Sequence, residues 1–226
     1  LRGTFFDGRL RINPTVYKMD WSNRQGARQI NCTAEGTAAC PIGFRILVVD
    51  SGDIDIEGAE LDAQLAITDP FTLDGSFGYN KGDVLDPVAN SGPNLFPEQP
   101  SPSYNFGATY ALPLGNNGNV AFNVNYAYVG EQETHPTSGT DSSYVLPDYN
   151  LINARIQWVT PSGRNIISLF GTNLADEHYA TYATRFGGGF WDHGSGAGEA
   201  APLRSARSVV RGRPREYGIT IQHNFN

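Results

Sequence analysis

The residues best suited to chemistry lie in a glycine-rich stretch between Thr172 and Arg213. Aromatic rings there can stack on a solute, and an arginine among them can attract an anion. The candidate ligand-binding residues are Tyr182, Arg185, Phe186, Phe190, Trp191 and His193. A basic cluster follows them at Arg204, Arg207, Arg211, Arg213 and Arg215. This pattern predicts solute capture by a long loop, whereas packing of the loop on its neighbours or on lipopolysaccharide phosphates is the alternative.

Catalytic, metal and nucleotide chemistry find no support in the sequence. The four histidines are scattered, no Cys or acidic cluster has metal-ligand spacing, and no nucleophile has an identifiable base. The glycine runs lack the preceding strand and following helix of a phosphate-binding loop. A net charge of −7 that is spread along the chain argues against nucleic-acid binding. We therefore predict no enzyme, no catalytic residue, no metal and no cofactor.

Cys32 and Cys40 are the only cysteines, and they lie in a stretch rich in Gly, Ala and Thr. This spacing favours a small loop-closing disulfide formed in an oxidising compartment. Two free thiols are the alternative.

An acidic run occupies Asp50, Asp53, Asp55 and Glu57. The glycine and the distal glutamate of an EF-hand loop are not at their required positions. A solvated strand extension is therefore favoured over a calcium site.

Alternation of apolar and polar residues dominates the rest of the chain. In 119–130, Val120, Phe122 and Val124 lie on one face, opposite Asn123 and Asn125. The longest wholly apolar run is Ile46 to Val49, far short of the roughly 20 residues of a membrane-spanning helix. Alternation predicts nine strand segments, at 1–6, 9–22, 54–68, 73–84, 103–112, 119–130, 148–160, 165–171 and 214–225. Pro14 predicts a bulge or an edge in the second segment, and the register of 165–171 is left open.

Short and long connections alternate between these segments. Tight turns are expected at 7–8, 69–72, 113–118 and 161–164, and long connections at 22–53, 85–102, 131–147 and 172–213. Outer-membrane barrels have short periplasmic turns and longer extracellular loops. Aromatic residues near strand ends fit the interfacial girdles of such barrels: Tyr17, Trp21, Tyr79, Tyr104, Tyr126, Tyr128, Trp158 and Tyr217. The fold class predicted is an all-β, antiparallel, up-and-down transmembrane β-barrel.

The strand count and the start of the chain predict a piece of a larger barrel. Nine is odd, whereas bacterial single-chain barrels have an even number of strands. The chain begins without Met or a signal peptide, directly in an alternating stretch. We expect it to be the C-terminal portion of the barrel.

Three local motifs stand out: LPDYNLINAR at 146–155, NLADEHY at 173–179 and GRPREYG at 212–218. They resemble, in that order, a strand, a turn and the approach to the last strand of the TonB-dependent receptors, the outer-membrane active transporters of Gram-negative bacteria. Weaker matches lie at 6–17 and 56–61. The family's turn usually has an aromatic residue where Ala175 stands, and its terminal strand usually ends on Phe, whereas Asn226 follows Phe225 here. For these motif residues we expect structural roles: Asn173, Leu174, Asp176, Tyr179, Gly212, Arg213, Pro214, Arg215, Tyr217 and Phe225.

The resemblance implies a 22-stranded barrel, of which residues 1–226 supply about nine strands. It implies a plug domain and a TonB box, both expected to be absent from this chain, and TonB as a partner through that absent N-terminal region. The cargo implied is a scarce solute, an iron–siderophore first, or cobalamin or an oligosaccharide. Outer-membrane lipid and lipopolysaccharide are the further partners. A passive porin-like barrel and a soluble carbohydrate-binding sandwich fit the alternation but not the motif set.

Overall fold

The computed structural model describes residues 2–23, 25–31, 44–50, 52–85, 101–134, 145–186 and 206–225. These residues form fifteen strands and one short 3-10 turn at Gly115–Asn117. No helix within these ranges is long and apolar enough to cross a membrane. The strands are, in chain order, β1 (Gly3–Phe5), β2 (Leu10–Trp21), β3 (Gln25–Asn31), β4 (Phe44–Asp50), β5 (Ile54–Thr68), β6 (Phe71–Val84), β7 (Ser103–Pro113), β8 (Asn119–Val129), β9 (Gln132–Glu133), β10 (Val145–Leu146), β11 (Tyr149–Val159), β12 (Asn165–Thr172), β13 (Ala180–Phe186), β14 (Ala206–Arg211) and β15 (Glu216–His223).

Nine of these strands form one antiparallel sheet, which we call the wall. Its order is β1-β2-β5-β6-β7-β8-β11-β12-β15, so each wall strand pairs with the next wall strand along the chain. The nine wall strands correspond to the nine segments predicted by alternation. The predicted up-and-down, all-β architecture is confirmed.

The remaining strands form three separate hairpins, β3–β4, β9–β10 and β13–β14. Each lies within one of the long connections, which the sequence predicted as loops. In β13–β14 the register from Tyr182 to Phe186 pairs with Ala206 to Val210. Within the described residues, local strand pairing is therefore present in the connections at 22–53, 131–147 and 172–213.

The wall has one apolar and one polar face. In-register residues such as Leu61, Phe77 and Tyr104 share the first face, where Tyr104 stacks on Tyr128 with ring centroids 4.7 Å apart. Leu61, Phe77 and Phe106 on this face are 39%, 41% and 59% exposed. Such a continuous exposed apolar surface requires lipid rather than water beside it, so we call it the outward face.

The opposite, inward face is polar. Asn13, Asp62 and Ser76 form one row across three strands, and Asn105 continues that row. A cavity of about 400 Å³ opens over this row. Tyr17, four residues along β2 from Asn13, lies on this face too and so does Trp21. The prediction that Tyr17 and Trp21 belong to the interfacial aromatic girdles is therefore wrong, because girdle side chains face the lipid.

Tight turns join the wall strands at the predicted positions. Phe6 and Asp7 adopt positive φ values of 53° each, followed by Gly8 at 87°, and Arg9 N–H donates to the Phe6 carbonyl at 3.0 Å. Gly163, with φ of 68°, donates to the Thr160 carbonyl at 2.8 Å. These turns join β1 to β2 and β11 to β12 on the side opposite the long connections.

The two uncertain segments are resolved by the register. Pro14 pairs with Leu61 without a shift, so no bulge is present. Among the described residues, the pairing of β2 with β1 extends as far as Ile12. β12 pairs in unbroken register with both β11 and β15. Pro214 precedes β15, which begins at Glu216 rather than at the predicted 214.

Among the described residues, most buried side chains lie where wall strands meet the long connections, and Ser168 in the middle of β12 is the exception. Among the described residues, the buried apolar side chains are Ile54, Ile56, Leu146 and Ala183. Thr134 and Asn173 are buried polar residues in the same zone. Compact packing therefore occurs at the roots of the long connections.

Candidate functional site at the root of the last long connection

Asn173 holds together the two ends of the connection between β12 and β15. Its side-chain amide donates to the Glu177 carbonyl at 2.9 Å and to the Arg213 carbonyl at 3.1 Å. Its side-chain oxygen accepts from the Glu177 N–H at 2.8 Å. Asn173 is 3% exposed and has φ of 49°, a conformation that Asn tolerates better than most residues. Both amide protons are used, which favours a structural role over ligand contact.

Asp176 adds a second tie across the same gap. It has φ of 58°, and its carboxylate accepts from the Arg215 backbone N–H at 3.4 Å and from the Arg215 guanidinium at 3.3 Å. We call the contacts of Asn173 and Asp176 with Glu177, Arg213 and Arg215 the root clasp. The clasp joins the predicted turn motif to the predicted approach to the last strand.

Tyr179 closes the base of this connection. Its ring stacks on Tyr149 of β11, with centroids 4.3 Å apart and planes 25° apart. Its carbonyl accepts from Gly212 N–H at 2.9 Å. A Cβ at Gly212 would overlap the Tyr179 ring, so the close approach requires glycine there.

The β9–β10 and β13–β14 hairpins pack against each other above the clasp. Leu146 and Ala183 are fully buried, and the Thr134 hydroxyl donates to the Ala183 carbonyl. The Arg207 guanidinium donates to the Val145 carbonyl at 3.2 Å. These contacts fix two neighbouring hairpins relative to each other.

A cavity of about 300 Å³ lies between the two hairpins and the clasp. Its polar lining combines cationic and acidic side chains, and Tyr179 contributes an aromatic ring: Asp148, Glu177, His178, Tyr179, Arg207 and Arg211. Within the described part of the chain, neither guanidinium forms an ion pair with a carboxylate. Two guanidiniums beside an aromatic ring can attract and orient an anionic solute.

The predicted ligand-binding residues are only partly placed. Tyr182 is 38% exposed and pairs with Val210. Register puts Tyr182 on the face of β13–β14 opposite Ala183 and Val209, and it does not line the cavity. Arg185 and Phe186 end β13, opposite Arg207 and Ala206. Phe190, Trp191 and His193 lie outside the described residues, as do Cys32 and Cys40, so those predictions stay predictions.

The described members of the basic cluster differ in their contacts, and Arg204 lies outside the described residues. Arg207 and Arg211 line the cavity, whereas Arg215 belongs to the root clasp. The cavity residues that sequence reasoning missed are Asp148, Glu177 and His178. Asp148 had been assigned to the strand motif at 146–155, and Glu177 and His178 to the turn motif at 173–179. No group of three or more His, Cys, Asp or Glu in the described ranges could hold a metal ion.

Comparison with known proteins gives a consistent result. The family model for the TonB dependent receptor-like β-barrel matches residues 1–174. This range includes the motif at 146–155, ends within the motif at 173–179 and does not reach the motif at 212–218. No curated protein matches the sequence. The solved structures compared below are 14–15% identical to the chain, so their likeness concerns the fold alone.

Three solved structures illustrate the likeness. The ferric yersiniabactin uptake receptor FyuA from Yersinia pestis matches with a TM-score of 0.70 at 14% identity, over 100% of this chain and 29% of its own. The ferric-catecholate import receptor Fiu from Escherichia coli K12 matches at 0.64 and 15%, over 99% and 26%. The ferripyoverdine receptor of Pseudomonas aeruginosa matches at 0.63 and 15%, over 99% and 26%. The chain therefore spans under a third of the length of these proteins.

Proposed function

Because the chain belongs to the TonB-dependent receptor-like β-barrel family, we propose that it forms part of the wall and mouth of an active importer of an iron chelate. The family match over residues 1–174 is the observation that carries this proposal. The three compared receptors are named for ferric yersiniabactin, ferric catecholates and ferripyoverdine. Their common cargo is the reason for placing iron–siderophores before cobalamin and oligosaccharides.

Family membership also sets the location and general class. The chain is an outer-membrane β-barrel protein, and the family consists of transport receptors rather than enzymes. This agrees with the sequence, which has no recognisable catalytic centre. The soluble sandwich is thereby removed from consideration.

Energy for uptake would come from TonB. Neither the plug nor the TonB box is expected within residues 1–226, so coupling would act through other parts of the complete receptor. The wall described here supplies the path, and the long connections supply the mouth. Outer-membrane lipid and lipopolysaccharide would surround it, and no nucleic-acid partner is proposed.

Solute capture would use the cavity between the two hairpins. Arg207 and Arg211 would meet anionic groups of the chelate, while Tyr179, held by Tyr149, supplies a fixed aromatic surface. The predicted loop residues Arg185, Phe186, Phe190, Trp191 and His193 would add contacts from the rest of the same connection, whereas Tyr182 lies on the face away from the cavity.

Uptake by the complete receptor tests the transport proposal. Cells that lack other iron-chelate receptors would express it and be given a panel of radioactive ferric chelates, cobalamin and oligosaccharides. We expect accumulation of a ferric chelate that disappears when TonB is deleted. Uptake that persists without TonB would establish passive passage instead.

Direct binding tests the cavity separately. The Arg207→Ala/Arg211→Ala double variant removes two charge-assisted hydrogen bonds to the solute, each worth about 1.5–3 kcal/mol, so affinity should fall by about a hundredfold or more. Arg164→Ala, in an exposed turn at the opposite end of the wall, is the matched control. Normal affinity in the double variant, with uptake intact, would reject the cavity but retain the transporter.

A further inference from the structure

The outward face of three neighbouring strands changes from apolar to charged between two adjacent rows. Val16, Ala59 and Tyr79 form an apolar row across β2, β5 and β6. Two residues further toward the long connections, the next outward row is Lys18, Glu57 and Lys81. The outward row after that is Asp20, Asp55 and Asp83.

The six charged residues of these two rows interact directly. Lys18 Nζ lies 3.2 Å from Asp55 Oδ2 and 3.9 Å from both Asp20 Oδ1 and Glu57 Oε1. Lys81 Nζ lies 2.6 Å from Asp83 Oδ2. We call this group the ionic band. It contains four carboxylates and two ammonium groups, and a site of this charge density requires a polar, hydrated surrounding.

The inward face changes in the opposite sense at the same height. Below the change it carries Asn13, Thr15, Glu60 and Asp62. Above it the inward rows are Met19 with Ile56 and Trp21 with Ile54. The outward face becomes charged where the inward face becomes apolar, so the change reflects the surroundings of the strands. An isolated group of unusual residues would alter only one face.

Strand length gives an independent measure of the same height. Ten residues of β5 run from Ala59 to Thr68, and nine residues of β6 run from Phe71 to Tyr79. A tilted strand needs about 9–11 residues to cross the hydrocarbon core of a membrane. The apolar part of each strand is therefore just long enough to span, measured from the tight turn.

We propose that the hydrocarbon of the outer leaflet ends between the Val16–Ala59–Tyr79 row and the Lys18–Glu57–Lys81 row. The ionic band then lies in the lipid head-group layer. Lys at mid-membrane costs about 2–4 kcal/mol but only about 0–1 kcal/mol near the interface, so the band can exist at this height and not below it. Residues Ile54 to Glu57, at the end of β5 that adjoins its long connection, then extend about 13 Å along the strand beyond the hydrocarbon.

Spin labels on single cysteines test this placement in the complete receptor reconstituted in phospholipid vesicles. The background carries Cys32→Ser and Cys40→Ser, and labels are attached at Ala59→Cys and Glu57→Cys on β5. Collision rates with oxygen, which concentrates in hydrocarbon, are compared with those of a water-soluble nickel chelate. We expect oxygen to dominate at position 59 and the nickel chelate to dominate at position 57.

A matched control separates height from face. Glu60→Cys is next to Ala59 at almost the same height but on the inward face, so its label should favour the nickel chelate. Tyr79→Cys and Lys81→Cys repeat the test on β6, independently of any disturbance to β5. Oxygen preference at 57 and 81 would place the boundary higher and overturn the proposal, as would identical behaviour at 59 and 60.

Discussion

The wall and the root clasp belong to one chain but are stabilised in different ways. Outward side chains of the wall keep much of their surface uncovered by protein, for example Leu61 at 39% and Phe106 at 59% exposed, so lipid and ladder hydrogen bonds must hold them. At the clasp, Asn173 is 3% exposed and its side chain makes three hydrogen bonds. A substitution in the wall can be absorbed by lipid or lumen, whereas one at the clasp leaves protein groups without partners.

Asn173→Ala should have the largest effect of the substitutions that test this contrast. The change removes the partners of the Glu177 N–H, the Glu177 carbonyl and the Arg213 carbonyl. Buried groups left unsatisfied cost about 1–3 kcal/mol each, and with water entering in part we expect local stability to fall by roughly 2–4 kcal/mol. Hydrogen exchange of the amides around 173–179 and 212–215 in the complete receptor measures it. Asn116→Ala, in an exposed tight turn, should change nothing, and equal effects at the two sites would contradict the structural role of Asn173.

Two glycines, one in each region, test how far a neighbouring side chain can move to accommodate an added methyl group. A Cβ at Gly212 would overlap the ring of Tyr179, which is held by Tyr149. A Cβ at Gly58 would overlap the far end of Tyr17, which projects from the inward face. We expect Gly212→Ala to cost about 1–3 kcal/mol through overpacking, and Gly58→Ala less than about 1 kcal/mol because the Tyr17 side chain can rotate away. Thermal unfolding and local hydrogen exchange would rank the two; the reverse order would show that the wall is the less tolerant region.

The smallest expected effect concerns the Asp176–Arg215 ion pair. Its side chains are 42% and 41% exposed, so the pair should contribute about 0.2–1 kcal/mol, less at high salt. A double-mutant cycle with Arg215→Ala and Asp176→Asn isolates this energy, since Asn tolerates the positive φ of position 176. A coupling that is larger than this, or that is insensitive to salt, would mean that the pair is effectively buried in the complete receptor.

Much of the wall was predictable because its signals are local. Alternation with a period of two gave all nine strands, and turn-forming residues such as Asp7-Gly8 and Ser162-Gly163 marked the tight connections. The family resemblance came from short motifs whose residue types reflect local needs, such as positive φ at Asn173 and Asp176. The hairpins β3–β4, β9–β10 and β13–β14 escaped prediction because these strands are short or interrupted in alternation and pair within connections already treated as loops.

The candidate site was much less predictable because its contacts are distant in sequence. Asn173 reaches Arg213, 40 residues away, and Arg207 reaches Val145, 62 residues away. The basic cluster looked uniform in sequence, yet its members divide between the cavity and the clasp. Glu177 and His178 carry no periodic or motif signal for a cavity.

By itself the sequence determined the fold class, the nine strands of the wall and the family, since each depends on local patterns that can be read without knowledge of long-range partners. Tertiary structure decided which face Tyr17 and Trp21 occupy, which arginines share a cavity and at what height both faces of the wall invert. These features depend on the register between strands, and a shift of one residue would move every side chain to the other face.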